Sequence, residues 1–293
     1  MKFEGTILKG IGGFYYVETE VGISECRARG KFRREHISPL VGDKVIVDVV
    51  EVSNQGYILE ILPRKNQMVR PAIANIDQVI IIFAAVKPDI NLQMLQKFII
   101  YAEHLNIKPV LVINKIDLDP EKKYWEILKV FKAAGYEVIE TSAVNELGIE
   151  RISESLKDKI SVFAGPSGAG KSTLLNRIKP GLHLKIGDLS RKIDRGTHTT
   201  RHAELIDLNT GGRVADTPGF TSLDLNELHV EEIKNCFPEF IRLSEGCRFT
   251  GCNHLKEPDC AVKKALESGE LEKFRYDFYV YIQEEKNNFR RYK

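Results

Sequence analysis

The sequence lacks the features that mark several classes of protein. Its longest apolar run, Val79–Val86, has the length of a buried strand and is too short to cross a bilayer. Its N-terminal segment contains Glu4 and Lys9 and no apolar core, which is unlike a secretory signal. It has no internal repeat and no low-complexity tract. We therefore expect a cytoplasmic protein with no membrane partner.

The net charge is small and cysteines are few. The 293 residues carry a net charge of only +2, so any nucleic-acid partner must be bound by a local basic patch. The five cysteines are an odd number, and three of them lie close to a histidine. In a reducing compartment this pattern favours a metal site over disulfides. The contents of apolar residues, 43%, and of charged residues, 29%, exclude disordered and collagen-like chains.

The distribution of strand and helix patterns divides the chain into three predicted domains. Residues 1–65 hold about five short strands between Gly-rich turns, which predicts a small closed OB-fold β-barrel. Residues 66–222 alternate buried strands with amphipathic helices, as in a doubly wound α/β sheet. Residues 223–293 are polar and mostly helical, and they contain the Cys/His group.

Residues 165–172, Gly-Pro-Ser-Gly-Ala-Gly-Lys-Ser, match the phosphate-loop pattern between a predicted strand and a predicted helix. Glycines let backbone N–H groups surround a phosphate, and the helix N-terminus favours its negative charge. Lys171 would reach the β- and γ-phosphates, and Ser172 would offer its hydroxyl to Mg²⁺ bound with the nucleotide. The predicted nucleotide contacts here are Gly165, Pro166, Ser167, Gly168, Ala169, Gly170, Lys171, Ser172 and Thr173.

A second motif, Asn-Lys-Ile-Asp at residues 114–117, ends a buried strand and distinguishes GTP from ATP. Asp117 can accept hydrogen bonds from N1–H and the 2-amino group of guanine, and adenine offers neither donor. We expect Asn114 to tie neighbouring loops together and the stem of Lys115 to cover the base. Three further contacts, whose backbone can meet the guanine O6, follow the next strand: Thr141, Ser142 and Ala143.

A predicted hairpin leads into Asp-Thr-Pro-Gly at residues 216–219. Asp216 would hold Mg²⁺ through water, and the N–H of Gly219 would meet the γ-phosphate. The alternative is a simple type I turn. Residues 195–201 have the composition of a first switch, in which Thr199 or Thr200 would bind Mg²⁺, with Thr200 preferred.

The catalytic glutamine of many GTPases has no counterpart here, because Phe220 stands in its place. An apolar ring cannot orient water, so we expect slow intrinsic hydrolysis. His198 is the local candidate for that role, beside Lys171 and Thr200 as catalytic residues, since imidazole can position water or accept its proton. The alternative is a solvated loop histidine.

The order of these motifs is rotated relative to ordinary GTPases. The motifs at 114 and 141, which normally come last, precede the phosphate loop at 165. The same sheet can be built from a rotated order, because the ends of a compact domain often lie close together. The second switch then leads directly into residues 223–293, so we predict that γ-phosphate contacts move the C-terminal domain as a unit.

Four soft ligands lie close together near the C-terminus: Cys247, Cys252, His254 and Cys260. Three thiolates and one imidazole suit a closed tetrahedral site for one structural Zn²⁺ per chain. The alternative is a group of unrelated cysteines. The fold class expected is therefore α/β: a circularly permuted P-loop GTPase domain with an N-terminal OB-fold barrel and a C-terminal helical zinc-binding domain.

A basic run in the predicted barrel could bind RNA: Arg27, Arg29, Lys31, Arg33 and Arg34. Phe32 lies within this run and is predicted to stack on a base while the cations grip the backbone. The alternative is a solvated charged loop.

Together these residues resemble the RsgA (YjeQ/YloQ) family of circularly permuted GTPases over the whole length of the chain. The resemblance is carried by residues 165–172, by 114–117 in reversed order, by Asp216–Phe220 and by the Cys/His set, and residues 196–200 are similar to the family's switch. It implies a monomeric cytoplasmic GTPase that binds the small ribosomal subunit and its rRNA. The resemblance also implies a role in late maturation of that subunit, and GTP hydrolysis that the subunit stimulates.

Two other interpretations stay open at this point. An ATP-dependent P-loop kinase or ATPase is disfavoured by Asp117, and competition between GDP and ADP would decide it. A zinc-stabilised nucleic-acid-binding module with a vestigial nucleotide site is disfavoured by intact Lys171, Ser172 and Asp216.

Overall fold

The N-terminal strands form a closed barrel, which confirms the sequence prediction. The structure is a computed structural model and describes residues 1–50, 54–69, 71–182, 204–220 and 228–291. The barrel strands are β1 (Lys2–Ile11), β2 (Phe14–Thr19), β3 (Gly22–Ala28), β4 (Lys44–Val50) and β5 (Gln55–Ile61). They pair in the order β1-β2-β3-β5-β4, and β4 returns to β1. Along β4, Val45, Val47 and Val49 point inward while their neighbours face out, as the strand period requires.

A short helix, α1 (Gly30–Arg34), follows β3 and corrects one prediction. Phe32 is only 4% exposed and belongs to the barrel core, so it cannot stack on a base at the surface. The helical turn directs this one apolar side chain inward, and Arg29 and Arg34 on either side of it are exposed. The ring contributes packing to the barrel.

The second group of strands builds the nucleotide-domain sheet. After a two-stranded ribbon, β6 (Gln67–Met68) and β7 (Ile73–Ala74), come β8 (Gln78–Ala84), β9 (Lys108–Asn114), β10 (Glu137–Glu140), β11 (Ile160–Ala164), β12 (Glu204–Asp207) and β13 (Arg213–Phe220). Their order is β10-β9-β8-β11-β13-β12. All neighbouring pairs are parallel except β12–β13, an antiparallel hairpin that confirms the sequence prediction.

Helices cover both faces of this sheet. They are α2 (Leu92–His104), α3 (Trp125–Ala133), α4 (Ile149–Leu156) and α5 (Lys171–Ile178). Every residue of β8 is buried, which is typical of a parallel strand with helices on both sides. Val79 and Ile81 pack in the core that includes α2 and α3, whereas Ile80 packs in the core that includes α4 and α5.

The barrel and the nucleotide-domain sheet are continuous within the described residues. Strand β1 pairs with β12 at Lys9 and Glu204, and these side chains also form an ion pair at 2.6 Å. A second ion pair joins Arg213 of β13 to Glu18 of β2. The barrel is therefore anchored beside the strand that carries the Asp-Thr-Pro-Gly segment.

The C-terminal residues form a helical unit that packs on α2. It contains α6 (Pro238–Ser244), α7 (Ala261–Ser268) and α8 (Lys273–Arg291). Its core holds Phe237, Phe240 and Tyr279, and Ile100 of α2 belongs to the same core. Among the described helices, none is both long and apolar enough to cross a membrane.

Candidate functional site

The phosphate loop lies between β11 and α5, at the carboxyl end of the parallel sheet. At two of its glycine positions, neighbouring atoms lie too close to leave room for a side chain. Gly165 has a φ of +130°, and a Cβ on it would lie 2.0 Å from the carbonyl oxygen of Ile82. Gly170 has a φ of +96°, and a Cβ on it would lie 2.2 Å from Nδ2 of Asn114. Only glycine fits both positions, and the loop that results places residues 165–170 around the N-terminus of α5.

The ammonium of Lys171 is held inside this loop. Its Nζ donates hydrogen bonds to the carbonyl oxygens of Gly165 and Pro166, each at 2.8 Å. Burial lowers the pKa of Lys171 to about 8. A buried cation at a helix N-terminus creates strong electrostatic attraction for a phosphate anion. The next residue, Ser172, is also buried in the first turn of α5, where Thr173 follows it.

Asn114 connects three loops at this end of the sheet. Its Nδ2 donates to the carbonyl oxygen of Ala169 at 3.0 Å. Its Oδ1 accepts from the backbone N–H of Ala143 at 3.2 Å and from the hydroxyl of Thr141 at 3.3 Å. The side chain is 1% exposed. Segments that are far apart and in rotated order along the chain therefore meet at one amide.

The side chains expected to meet guanine lie just beyond Asn114. Asp117 is exposed in a 3-10 turn, Ile116–Leu118, and its Oδ1 accepts a hydrogen bond from the hydroxyl of Ser142. This contact leaves Oδ2 and further lone pairs of the carboxylate for donors on a base. Ser142 is itself held by the backbone N–H of Asn145 at 3.2 Å.

Lys115 is positioned by a contact that sequence patterns did not predict. It adopts a left-handed backbone conformation, with a φ of 62°, and its Nζ donates to the carbonyl oxygen of Lys87 at 2.6 Å. Pro88 also lies near the phosphate loop, since a Cβ on Gly168 would meet its Cδ at 3.6 Å. The segment after β8 thus borders both nucleotide loops, and only the three-dimensional arrangement reveals it.

The Asp-Thr-Pro-Gly segment belongs to β13, so its backbone is strand and not a type I turn. Phe220 of β13 pairs with Ala164 of β11, the residue directly before the phosphate loop. The backbone of Asp216 and Gly219 therefore runs toward that loop. The side chain of Asp216, like residues His198, Thr199 and Thr200, lies outside the part of the chain that the structure describes.

The C-terminal unit brings together the side chains of Cys247, Cys252, His254 and Cys260. Their ligand atoms all lie within 4.8 Å of one another. The Nδ1 of His254 is 3.7 Å from Sγ of Cys247 and 3.4 Å from Sγ of Cys260. Three sulfurs and one nitrogen at this spacing could hold a metal ion such as zinc.

The surroundings of this cluster orient its ligand atoms, while burial opposes ionisation of a thiol until a metal ion binds. Burial raises the pKa of the Cys252 thiol to about 12, so its proton must be displaced when metal binds. The backbone N–H of Ala261, at the start of α7, points to Sγ of Cys247 at 3.4 Å. The hydroxyl of Tyr276 donates to the carbonyl oxygen of His254 at 2.7 Å, which fixes the ligand loop onto α8.

A buried arginine of the C-terminal unit, Arg275, contacts the nucleotide domain. The Nε of Arg275 in α8 donates to Glu239 of α6 at 2.6 Å. Its Nη1 donates to Oε1 of Gln96 in α2 at 3.1 Å, and the guanidinium lies 5.3 Å from the ring centroid of Phe131 in α3. Sequence reasoning missed this contact, because nothing local marks its members.

Comparison with known families decides the assignment. A family model described as RsgA GTPase matches residues 61–226, more than half of the chain. The chain belongs to the RsgA GTPase family. A second model, for the RsgA N-terminal domain, matches residues 4–58 in the barrel. Membership in RsgA GTPases confirms the resemblance inferred from the motifs, and it confirms that the chain is a GTP hydrolase.

Two curated relatives carry the printed name small ribosomal subunit biogenesis GTPase RsgA. The relative from Caldanaerobacter subterraneus is 51% identical over 100% of this chain and 99% of its own length. The relative from Geobacillus kaustophilus is 46% identical over 99% of this chain and 99% of its own length. The likeness to RsgA proteins therefore extends over the whole chain.

Solved structures confirm the fold. YjeQ from Thermotoga maritima superimposes with a TM-score of 0.85 at 38% identity, covering 98% of this chain and 99% of that chain. YloQ, described as a circularly permuted GTPase, has a TM-score of 0.84 at 38% identity, covering 98% of this chain and 96% of that chain. The predicted circularly permuted RsgA-type GTPase fold is correct.

Proposed function

We propose that this chain binds the small ribosomal subunit and its rRNA, assists late maturation of the subunit, and hydrolyses GTP to GDP and phosphate when the subunit stimulates it. The printed names of the full-length relatives support this role. The observation that carries the nucleotide chemistry is Asn114, whose amide joins the guanine-reading and phosphate loops into one site.

In this site Lys171 exchanges its hydrogen bonds to Gly165 and Pro166 for bonds to the β- and γ-phosphates. Backbone N–H groups of residues 165–173 cradle the phosphates at the start of α5. Asp117, held by Ser142, accepts from N1–H and the 2-amino group of guanine. The stem of Lys115, tied to the carbonyl of Lys87, covers the base.

Mg²⁺ bound with GTP would be held by Ser172, Thr200 and, through water, Asp216, and it would neutralise charge on the transferred phosphate. His198 and Gly219 complete the set, as the water-positioning imidazole and the γ-phosphate contact. Phe220 cannot orient water, so turnover without the subunit is slow.

One structural Zn²⁺ per chain, held by the Cys247–Cys260 set, stabilises the helical C-terminal unit. Residues 1–65 act as the rRNA-binding barrel, 66–222 as the GTPase domain and 223–293 as the zinc domain. The protein acts as a monomer in the cytoplasm.

Contacts of the γ-phosphate move the zinc domain as a unit. Hydrogen exchange over residues 228–291 should therefore differ between GTP-analogue and GDP states, and equal exchange would contradict this.

The proposal is tested by steady-state GTP hydrolysis with and without purified small subunits. Wild type should turn over slowly alone and faster with subunits. Ser172→Ala should lose the stimulated rate, because it removes the hydroxyl assigned to Mg²⁺, while Ser244→Ala, at an exposed position in α6, should keep it. Equal wild-type rates with and without subunits would sink the proposal.

A further inference from the structure

The outer surface of the barrel carries two rows of side chains that cross its strands. Phe14 of β2 is paired in register with Arg27 of β3, and Arg27 is paired with Tyr57 of β5. Two positions along the same strands, Tyr16 pairs with Glu25, and Glu25 pairs with Gln55. Residues at i and i+2 share a face of a strand, so both rows point outward.

The first row is built for stacking. The guanidinium carbon of Arg27 lies 4.4 Å from the centroid of the Phe14 ring, which fixes the planar cation over an aromatic face. The Tyr57 side chain is 54% exposed on the other side of Arg27. An exposed ring beside a planar cation offers two flat surfaces on which a base can stack.

The second row offers hydrogen-bonding groups. The carboxylate of Glu25 accepts from the hydroxyl of Tyr16 at 3.2 Å and from the amide of Gln55 at 3.4 Å. Gln55 therefore presents its remaining amide N–H and its carbonyl oxygen to solvent, a donor and an acceptor side by side. Together, a stacking row and an adjacent donor–acceptor row match the flat face and the polar edge of a nucleobase.

All of the first row, and Glu25 and Gln55 of the second, line one open cavity of about 510 Å³ together with Val50 and Gly56. Two basic residues after β3 are exposed: Arg29, which follows the strand directly, and Arg34 at the end of α1. Asp48, opposite Tyr57 on β4, is engaged by the N-terminal ammonium at 3.4 Å. The Glu25 carboxylate in the cavity is likewise engaged, by Tyr16 and Gln55, whereas Arg27, Arg29 and Arg34 supply positive charge for an anionic polymer.

We propose that Phe14, Arg27 and Tyr57 form a stacking platform for one unpaired nucleobase of single-stranded RNA, and that Gln55 reads the edge of that base. This inference rests on the proposed rRNA-binding function and gives the barrel a defined ligand subsite. It replaces Phe32, which is buried in the barrel core. The arginine-rich residues after β3 contact the phosphates that flank the base.

The test measures binding of fluorescently labelled RNA octamers of a single base type to the full-length chain by anisotropy, at several salt concentrations. Tyr57→Ala and Arg27→Lys should each weaken binding by roughly five-fold or more, because stacking is lost while the charge of residue 27 is kept. Tyr57→Phe should bind like wild type, since the ring remains. Val21→Ala, at an exposed apolar position in the β2–β3 turn, is the matched control.

The same variants are assayed for stimulated GTP hydrolysis, so that the two proposals fail differently. Wild type that no subunit stimulates would overturn the proposed function, whatever the octamers do. Stimulated wild type with octamer binding unchanged in Tyr57→Ala and Arg27→Lys would overturn only the stacking platform. Loss of stimulation in these variants, with no octamer bound by wild type, would show that the surface contacts a part of the subunit other than single-stranded RNA, and would also overturn the platform.

Discussion

Asn114 and Ala169, 55 residues apart, are joined by a hydrogen bond of 3.0 Å from the side-chain amide of one to the backbone carbonyl of the other. This bond links the loop that reads the base to the loop that holds the phosphates. Since both loops must engage one nucleotide, the hydrogen bonds of Asn114 set the spacing between the loop that binds the base and the loop that binds the phosphates.

Asn114→Ala should therefore weaken GDP binding by at least about ten-fold, because it removes three hydrogen bonds and leaves buried groups unpaired at about 1–3 kcal/mol each. The loss is measured by calorimetric titration with GDP. Asn145→Ala is the matched control, since Asn145 contributes its backbone N–H to Ser142. Equal losses in the two variants would remove Asn114 from this role.

Nucleotide affinity should depend on pH through Lys171. Burial lowers its pKa to about 8 in the free protein, and a bound phosphate raises it again. Below about 8 the ammonium is already charged and binding needs no proton. Above about 8 binding must take up a proton, so GDP affinity should fall by up to ten-fold for each further pH unit.

This dependence is measured by titrating GDP between pH 7 and 9 in buffers that differ in ionisation enthalpy. Proton uptake should appear above pH 8. Guanosine is the control ligand, because it carries no phosphate for Lys171 and yet shares any ionisation of the base. A fall in affinity that is identical for guanosine and GDP would show that Lys171 does not cause it.

Base specificity should follow Asp117. In xanthine a carbonyl replaces the 2-amino group, so an amide that donates is a better partner than a carboxylate that only accepts. Asp117→Asn should lose about ten-fold or more in GDP affinity and gain affinity for XDP, as measured by competition. Asp119→Asn, two residues away, is the control, and a shift in specificity with that variant instead would reassign the contact.

The sequence predicts those parts of the fold and of the site whose residues lie close together along the chain. The phosphate loop, the Asn-Lys-Ile-Asp motif and the Cys/His set have short fixed spacings, so their residues could be chosen before any fold was known. The prediction that Phe32 stacks on a base is wrong. The basic residues around it indicate an exposed loop, whereas the segment forms a single turn of helix that directs the ring inward.

The remaining contacts depend on register and tertiary packing. Phe14, Arg27 and Tyr57 form a row only because β2, β3 and β5 align at those positions, and a shift of one residue would turn the side chains to the other face. Arg275 meets Gln96 across 179 residues. Neither relationship leaves a spacing pattern in the chain.

Metal removal should unfold the C-terminal unit selectively. The purified protein should contain about one zinc per chain, and Cys252→Ser should lose it together with exchange protection over α7 and α8. Cys236→Ser is the matched control, because Cys236 is also buried in this unit but is not one of the four clustered residues. Zinc content and hydrogen exchange measure the two effects. Equal zinc content in both variants would show that the cluster is not the metal site.

The buried pair of Arg275 and Glu239 should matter more for stability than an exposed pair on the same helix. Removing the guanidinium leaves a carboxylate that is 4% exposed without its charge partner, which costs about 3–5 kcal/mol. Arg275→Met should therefore sharply lower the stability of the C-terminal unit, while Arg275→Met with Glu239→Leu should recover part of it, because neither charge remains buried. Lys273→Met, which removes the exposed pair with Asp277, should cost well under about 1 kcal/mol. The measurement is denaturant-dependent hydrogen exchange over α8, and a single Arg275→Met variant as stable as Lys273→Met would show that the buried ion pair does not stabilise the C-terminal unit.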